Sequence, residues 1–210
     1  MATVAHEVDH HHGPAKGLSR WLFTTNHKDI GTLYLWLALI MFLTGGSLAM
    51  LIRAELFQPG LQLVQPETFN RLTTMHGLIM VFGAVMPAWT GFANWMIPMM
   101  IGGPDMALPR MNNWSFWLLP FAFTLLLSTW FLDGGAPAFG WTFYAPLSTT
   151  FAPKTADVFI FAVHLMGISS IMGAINVIAT VLNMRAPGMT LMKMPLFCWT
   201  WLVTAFLLIA

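Results

Sequence analysis

The 210-residue chain is 57% hydrophobic, only 8% of its residues are charged, and its formal net charge is +1. Soluble domains carry about a quarter charged residues, so this composition indicates a membrane protein. The small net charge provides no basic field for nucleic acid. The single cysteine, Cys198, excludes an intrachain disulfide framework, and we interpret it as a small buried apolar residue.

The first 29 residues form a polar tail. It contains three consecutive histidines, His10, His11 and His12, which could bind a metal but are more typical of a solvated, disordered segment. No cleavable secretory signal is evident, because the polar stretch is long and the first apolar run has full membrane length. We expect a tail at residues 1–29 on the cytoplasmic side, followed by a transmembrane helical domain at residues 30–210.

Five apolar runs follow the tail. A membrane-spanning helix needs about twenty mostly apolar residues. Four runs reach this length, and the fifth is still apolar at the last residue, so we expect the chain to be part of a longer or split subunit and to be inactive alone. The sequence predicts an all-α membrane protein with four complete transmembrane helices and the start of a fifth. The runs are residues 30–52, 72–101, 114–132, 158–182 and 195–210.

The basic residues predict the orientation of these helices. Lysine and arginine are in excess in the tail and in the second and fourth connections, whereas the other connections also contain several acidic residues. By the positive-inside rule the amino terminus should face the cytoplasm, with the first and third loops outside. The long third loop, residues 133–157, is rich in Gly, Pro and aromatic residues and is expected to form an ordered cap over the bundle.

Two histidines lie inside the apolar runs. A polar side chain in a bilayer is costly and is a functional candidate by default. His76 and His164 fall at similar depths in the second and fourth runs, and two neutral imidazoles from facing helices could ligate one haem iron. The alternative is that each histidine forms a hydrogen bond between helices, and spacing alone does not separate the two.

A second group of polar residues follows a line from the cytoplasmic surface to the middle of the membrane. Chains of hydroxyl and amide groups can hold the ordered water along which protons move. Taken singly, each of these residues is more typical of helix–helix packing. The group consists of Asp105, Asn94, Asn112, Asn113, Ser169, Ser170 and Asn176.

Several stretches resemble subunit I of the haem–copper oxidases, of the cytochrome c oxidase type. The resemblance begins with WLFTTNHKDIG at residues 21–31 and covers essentially everything after the polar tail, with long blocks in the family's order. The other blocks are LIRAELFQPG, MHGLIMVF, NWMIPMMIGGPDMALPRMNNWSFWLLP, GWTFYAPL and HLMGISSIMGAIN. The resemblance implies a twelve-helix bundle that reduces oxygen to water and pumps protons, of which this chain would be the amino-terminal portion.

The resemblance also implies roles at the haem. His76 corresponds to an axial ligand of the low-spin haem a, and Arg53 to the arginine that donates a hydrogen bond to the haem formyl group. Trp141 and Tyr144 correspond to a loop near the haem propionates. His164 resembles a histidine that is not a haem ligand, so the symmetrical pair suggested by spacing is rejected.

Further roles are implied away from the haem. Asp105 corresponds to the acidic entrance of the proton path called the D channel, and Asn94, Asn112, Ser169, Ser170 and Asn176 to residues that hold its water chain. Glu55, Gly60, the Gln58 carbonyl and Gln62 resemble an outer calcium or sodium site, where hard oxygen ligands are needed.

The resemblance leaves part of the chemistry outside this sequence. The family's copper ligands, the ligand of the high-spin haem and the second ligand of haem a fall beyond Ala210, so haem a3 and CuB are expected only in the complete subunit. We expect the remainder of subunit I, a CuA-bearing subunit II, subunit III and membrane lipid as partners. No catalytic residue for oxygen chemistry is assigned here.

The sequence also bears on the electron donor and on two other classes of membrane protein. Quinol-oxidising relatives carry an arginine and an aspartate where this chain has Thr44 and Leu48, so we favour cytochrome c as donor, with a quinol-oxidising subunit as the alternative. A cytochrome b type subunit would need paired histidines within one span, and a cofactor-free transporter predicts internal symmetry; neither is evident. The lack of an amphipathic Arg- and Ser-rich leader favours a bacterial inner membrane over a mitochondrial one.

Overall fold

A computed structural model describes residues 17–210, and every regular element in that part of the chain is helical. The histidine triplet of the tail lies outside the described residues. The helices are α1 (Leu18–Phe23), α2 (His27–Glu55), α3 (Pro66–Leu78), α4 (Met86–Ile101), α5 (Pro109–Ser128), α6 (Ala156–Asn183) and α7 (Leu196–Ile209). A π-helical segment, Ile79–Val85, joins α3 to α4, and a single 3-10 turn, Leu191–Lys193, precedes α7.

Three stretches within residues 17–210 are long and apolar enough to cross a membrane. They are α2 with 29 residues, the continuous helix Pro66–Ile101 with 36 residues, and α6 with 28 residues. The helix α5 has 20 residues and α7 has 14. The all-helical prediction is therefore confirmed for the described residues, whereas four complete spans and the start of a fifth stay a prediction.

The helix ends differ from the apolar runs because hydrogen bonding, not hydropathy, sets them. The helix α2 begins three residues before the first apolar run, since the Asn26 side chain accepts hydrogen bonds from the backbone N–H groups of Lys28 (2.8 Å) and Asp29 (3.3 Å). Pro66 begins α3, because proline lacks the N–H that would be unpaired at a first turn. The helix α5 ends at Ser128, four residues short of its apolar run.

The long helix Pro66–Ile101 changes its winding halfway along. In the π-helical segment the Met86 backbone N–H bonds the Val81 carbonyl, five residues earlier. Pro87 follows directly and cannot donate to a carbonyl in the preceding turn, which favours a local departure from α-helical bonding. The helix then ends at Gly102, whose φ of 72° lies in the left-handed region that glycine adopts readily.

The helix α2 is packed along the whole of the helix Pro66–Ile101, and glycine makes the approach possible. A Cβ atom added to Gly31 would lie 2.9 Å from the Gly91 carbonyl oxygen, and one added to Gly91 would lie 3.0 Å from the Gly31 carbonyl oxygen. Further along, a Cβ atom on Gly45 would lie 2.8 Å from the sulfur of Met80. Such small residues let two backbones meet in a bundle.

The loop between α5 and α6, residues 129–155, is an ordered cap on one end of the bundle, as the sequence predicts. Ala136 and Phe139 are buried in it. The rings of Phe139 and Phe143 meet edge to face with centroids 4.5 Å apart, and Phe143 stacks on Phe159 of α6 at 5.1 Å. These contacts attach the cap to the helices rather than leaving it as a linker.

Gly91→Ala should destabilise the chain by about 1–3 kcal/mol, because the added methyl group would overlap Leu35 and press on the Gly31 carbonyl in a packed interface. Thermal unfolding of the purified chain in detergent, followed by circular dichroism, measures the loss. Gly167→Ala in α6 is the matched control, since no heavy atom lies within 4 Å of its added Cβ. Equal unfolding midpoints for the two variants would contradict this account of the interface.

Candidate functional site

His76 lies near the end of α3 with one ring nitrogen held by a neighbouring helix. Its Nδ1 is 2.9 Å from the carbonyl oxygen of Gly45 in α2. A carbonyl oxygen only accepts hydrogen bonds, so Nδ1 carries a proton, and in the neutral ring the lone pair is on Nε2. This is the arrangement that fixes the tautomer of a metal-ligating histidine. Among residues 17–210 no hydrogen bond reaches Nε2.

Open space lies on the face of α2 beside this histidine. No heavy atom is within 4 Å of a Cβ added to Gly46, the residue next to the carbonyl that His76 bonds. Met50 and Arg53 follow at the fourth and seventh positions after Gly46, so they share its helix face, and both are exposed. His76 thus bonds α2 at Gly45, and Arg53 lies about two turns further along that helix, on the same helix face as Gly46.

The two predicted loop residues, Trp141 and Tyr144, differ in their contacts. The side chain of Trp141 lies 3.7 Å from the position of a Cβ added to Gly77, the residue after His76. Tyr144 is exposed and contributes only its carbonyl oxygen, which accepts a hydrogen bond from the Ser148 backbone N–H. Trp141 therefore lies against α3 at the residue that follows His76.

His164 is in a different environment. Its side chain is exposed, and Nδ1 is 2.8 Å from the Ile160 carbonyl oxygen of its own helix. That hydrogen bond fixes its tautomer without linking it to another helix.

The opposite end of the bundle holds a network of hydrogen bonds around Asp105. One carboxylate oxygen of Asp105 accepts from the backbone N–H groups of Met106 (2.7 Å) and His27 (3.2 Å). The buried ring of His27 donates through Nδ1 to the Asn94 carbonyl oxygen at 2.7 Å. The Asn112 side-chain amide donates to the Asn94 side-chain oxygen at 2.6 Å. Asp105 is thereby connected to the pair of buried asparagines through the first residue of α2.

The network continues toward the middle of the bundle through hydroxyl groups. Ser115 donates to the Asn112 carbonyl oxygen at 2.8 Å, and the Tyr34 hydroxyl is 2.9 Å from the Ser115 hydroxyl. Ser169 donates to the Ser115 carbonyl oxygen at 2.6 Å. Ser170 instead donates to the Met166 carbonyl oxygen of its own helix at 3.0 Å.

A cavity of about 620 Å³ adjoins these groups. Its wall is mainly apolar, with polar atoms from a few residues, so water inside it would be held at a few defined points. The predicted path residues Asn94, Asn112, Ser169 and Ser170 all line it, together with Tyr34 and Thr90. The structure therefore gathers four of the predicted residues on one cavity.

Asn176 has a different contact from the other predicted path residues. Its side-chain oxygen accepts from the Leu108 backbone N–H at 2.9 Å, and its buried Nδ2 has no partner in the described part of the chain. One turn later the Thr180 hydroxyl accepts from the Ala107 backbone N–H at 2.9 Å. These two residues of α6 therefore hold the loop that carries Asp105. Asn113 points elsewhere and makes a long hydrogen bond of 3.3 Å to the Leu22 carbonyl.

Residues 29–210 match the protein family described as "Cytochrome C and Quinol oxidase polypeptide I". The chain belongs to this family. A cytochrome c oxidase subunit 1 of Corynebacterium efficiens is 43% identical over 220 residues, which cover 99% of this chain and 38% of that protein. A probable cytochrome c oxidase subunit 1-beta of Nocardia farcinica is 46% identical over 202 residues, covering 94% of this chain and 34% of that protein.

A third relative agrees with the first two. A probable cytochrome c oxidase subunit 1-alpha of Streptomyces avermitilis is 42% identical over 198 residues, which cover 93% of this chain and 34% of that protein. The chain thus spans between 34% and 38% of the length of these curated relatives. Family membership and three long apolar helices make it an integral membrane protein, and the family implies haem and copper in the complete subunit.

Glu55, at the end of α2, makes hydrogen bonds that the resemblance to this oxidase family did not anticipate. Its buried carboxylate accepts from the backbone N–H groups of Gln62 (2.8 Å), Leu63 (2.5 Å) and Val64 (3.0 Å), so it closes the loop between α2 and α3. Within residues 17–210 no group of three or more His, Cys, Asp or Glu side chains is placed to hold a metal ion. The cation site at Glu55, Gln58 and Gly60 stays a prediction.

Sequence reasoning missed several residues that the structure brings to the hydrogen-bond network around Asp105 and its loop. Tyr34 is a buried phenol within an apolar run, and a polar group in such a run could have been selected as a functional candidate from the sequence. Ser115 and Thr180 gave no comparable signal, because isolated hydroxyls in helices usually bond their own preceding turn. His27 was hidden because it precedes the first apolar run.

Asn112→Ala should destabilise the oxidase subunit by about 1–3 kcal/mol, because it leaves the buried Asn94 side-chain oxygen without a donor. The adjacent Asn113→Ala should cost less than about 1 kcal/mol, since only a long hydrogen bond near the surface is lost. Thermal unfolding of both variants in detergent compares them. The network would be wrong as described if the two variants unfolded at the same temperature.

Proposed function

We propose that this chain forms the amino-terminal part of the catalytic subunit of a proton-pumping terminal oxidase that transfers electrons from cytochrome c to oxygen. In this proposal residues 1–29 are a cytoplasmic tail, and residues 30–210 belong to a twelve-helix bundle. The observation that carries the proposal is the His76 ring, whose Nδ1 is bonded to Gly45 so that Nε2 is left as a ligand beside an open helix face.

His76 would be an axial ligand of a low-spin haem a. Three features of the chain support this fit: the fixed tautomer, the space beside Gly46, and the exposed cation of Arg53 on the same face. Arg53 would donate to a polar substituent of the haem, while Trp141 and Tyr144 would lie toward its propionates. When bound, the haem accepts one electron at a time and passes it on.

Asp105 would be the entrance for protons. Its carboxylate lies half-buried at the end of the bundle, and the asparagine and serine groups beyond it line one cavity. Water held by Asn94, Asn112, Ser169 and Ser170 would carry protons inward, and Asn176 would keep the Asp105 loop in place. Tyr34 and Ser115 extend the same chain of hydroxyls.

The proposed electron donor and the proposed groups outside this chain are supported by its relatives. The relatives named above are all described as cytochrome c oxidases, which favours cytochrome c over the alternative, a quinol donor. Thr44 and Leu48 are uncharged, so neither offers a quinol the ionic group that the quinol-oxidising relatives have there, and the Thr44 hydroxyl donates to the Ile40 carbonyl of its own helix. Haem a3, CuB and the second haem a ligand would come from the remainder of subunit I.

The proposed assembly also includes a CuA-bearing subunit II, subunit III and membrane lipid. The relatives are bacterial proteins, which supports a bacterial inner membrane, with the amino terminus in the cytoplasm, as the location. A Ca²⁺ or Na⁺ ion at Glu55, Gln58 and Gly60 would share the carboxylate oxygens with the three backbone donors already bonded there.

In the complete oxidase, His76→Ala should abolish the low-spin haem a absorption band, because one axial bond to iron is lost. Reduced-minus-oxidised spectra of the purified enzyme measure the band. His164→Ala is the matched control and should leave the band unchanged, since His164 is exposed and bonds only its own helix. A normal band in the His76 variant would defeat the assignment.

Asp105→Asn should slow oxygen consumption and proton release by at least about tenfold, because the substitution removes an ionisable group while keeping its shape. Both rates are measured with the enzyme in sealed vesicles. Asp133→Asn, at the capped end of the bundle, is the control and should behave as the unsubstituted enzyme. Unaffected proton release in the Asp105 variant would exclude Asp105 from the path.

A further inference from the structure

Arg71 in α3 is joined to the cap loop, residues 129–155, one and a half helical turns before His76. Its guanidinium pairs with Glu67 on its own helix and donates to the Gly134 carbonyl oxygen at 3.1 Å. Within residues 17–210 the Nε atom of the same side chain is buried and has no hydrogen-bond partner. Arg71 therefore lies against the loop. A long cationic side chain normally extends its charged end into solvent instead.

The loop is shaped to receive this side chain. Gly135 has a φ of 68°, and a Cβ atom on it would overlap the Arg71 guanidinium. From the other side, the Thr155 hydroxyl donates to the Gly135 carbonyl oxygen at 2.5 Å. The Gly134–Gly135 turn is thus held between Arg71 of α3 and Thr155 at the start of α6.

The loop then returns to α3 on both sides of His76 in the sequence. The Gly140 backbone N–H donates to the Thr74 hydroxyl at 2.9 Å. The next residue, Trp141, has its side chain 3.7 Å from the position of a Cβ on Gly77. Gly140, where the cap contacts α3 near His76, is therefore only five residues after Gly135, where Arg71 contacts the turn.

We propose that Arg71 is a positioning residue that, with Thr155, holds the cap so that Trp141 stays against α3 beside His76 and limits water at the haem edge. The inference rests on the proposed haem at His76. Water stabilises the more highly charged oxidised iron, so a looser cap lowers the midpoint potential of the haem. Arg71 does this through the loop and not by contact with the haem.

The experiment uses the complete oxidase in detergent and compares Arg71→Met, Thr155→Val and Thr155→Ser. Thr155→Val removes the second anchor of the same turn without changing any charge, and Thr155→Ser keeps the hydroxyl. Hydrogen exchange of the Gly140 backbone amide reports the cap, and spectroelectrochemical titration gives the midpoint potential of the low-spin haem. These readouts separate an effect of the loop from the loss of one positive charge.

We expect Arg71→Met and Thr155→Val to accelerate exchange at Gly140 by about tenfold, the size expected when a stabilising hydrogen bond is lost. Both should shift the potential to more negative values, and Thr155→Ser should match the unsubstituted enzyme. Unchanged exchange would overturn the anchor. A potential shift in Arg71→Met alone, or faster exchange with no shift, would overturn the link to the haem.

Failure of the proposed function looks different from these outcomes. If the low-spin band survives His76→Ala, the haem is not at His76, and the part of the inference that concerns the potential falls with it. The exchange rates at Gly140 then still decide whether Arg71 and Thr155 hold the cap, because that measurement requires no haem.

Discussion

The close approach of α2 to the helix Pro66–Ile101 is the contact on which both candidate sites depend. Gly31 and Gly91 let the two backbones approach each other, and Gly45 leaves room for the Met80 side chain of the opposite helix. At one end of the contact the Gly45 carbonyl reaches the His76 ring, and at the other the His27 ring reaches the Asn94 carbonyl. Each histidine is oriented by a backbone group of the opposite helix, which a wider separation would leave out of reach.

The helices were largely predictable, because long apolar runs have few other solutions in a membrane. Their ends were less so: the Asn26 cap and Pro66 extend helices into polar sequence that hydropathy assigns to loops. The π-helical segment could not be predicted from composition. Pro87 follows it directly, and Gly83 within it is packed against Met41 and Phe123, so its winding depends on contacts with other helices.

Candidate residues could be selected from the sequence where a polar side chain would be energetically costly in the bilayer, or where a stretch resembles the oxidase family. His76, Asp105 and Asn112 are examples. The relations between these residues were not, because they depend on hydrogen bonds between distant parts of the chain. Asn176 illustrates the difference: its role in holding water stays a prediction, and its hydrogen bond to the Leu108 backbone N–H was not foreseen. His27 and Thr180 acquire importance only through such contacts.

The π-helical segment has a consequence for how the helix Pro66–Ile101 can change. Successive residues of an α-helix are rotated by about 100° around its axis. The wider turn between Ile79 and Val85 changes this rotation, so the direction in which Asn94 faces is not fixed by the direction in which His76 faces. The two halves of the helix Pro66–Ile101 thus direct their polar residues independently of each other. Residues before and after the segment therefore need not have the relative orientation that an uninterrupted α-helix would give them.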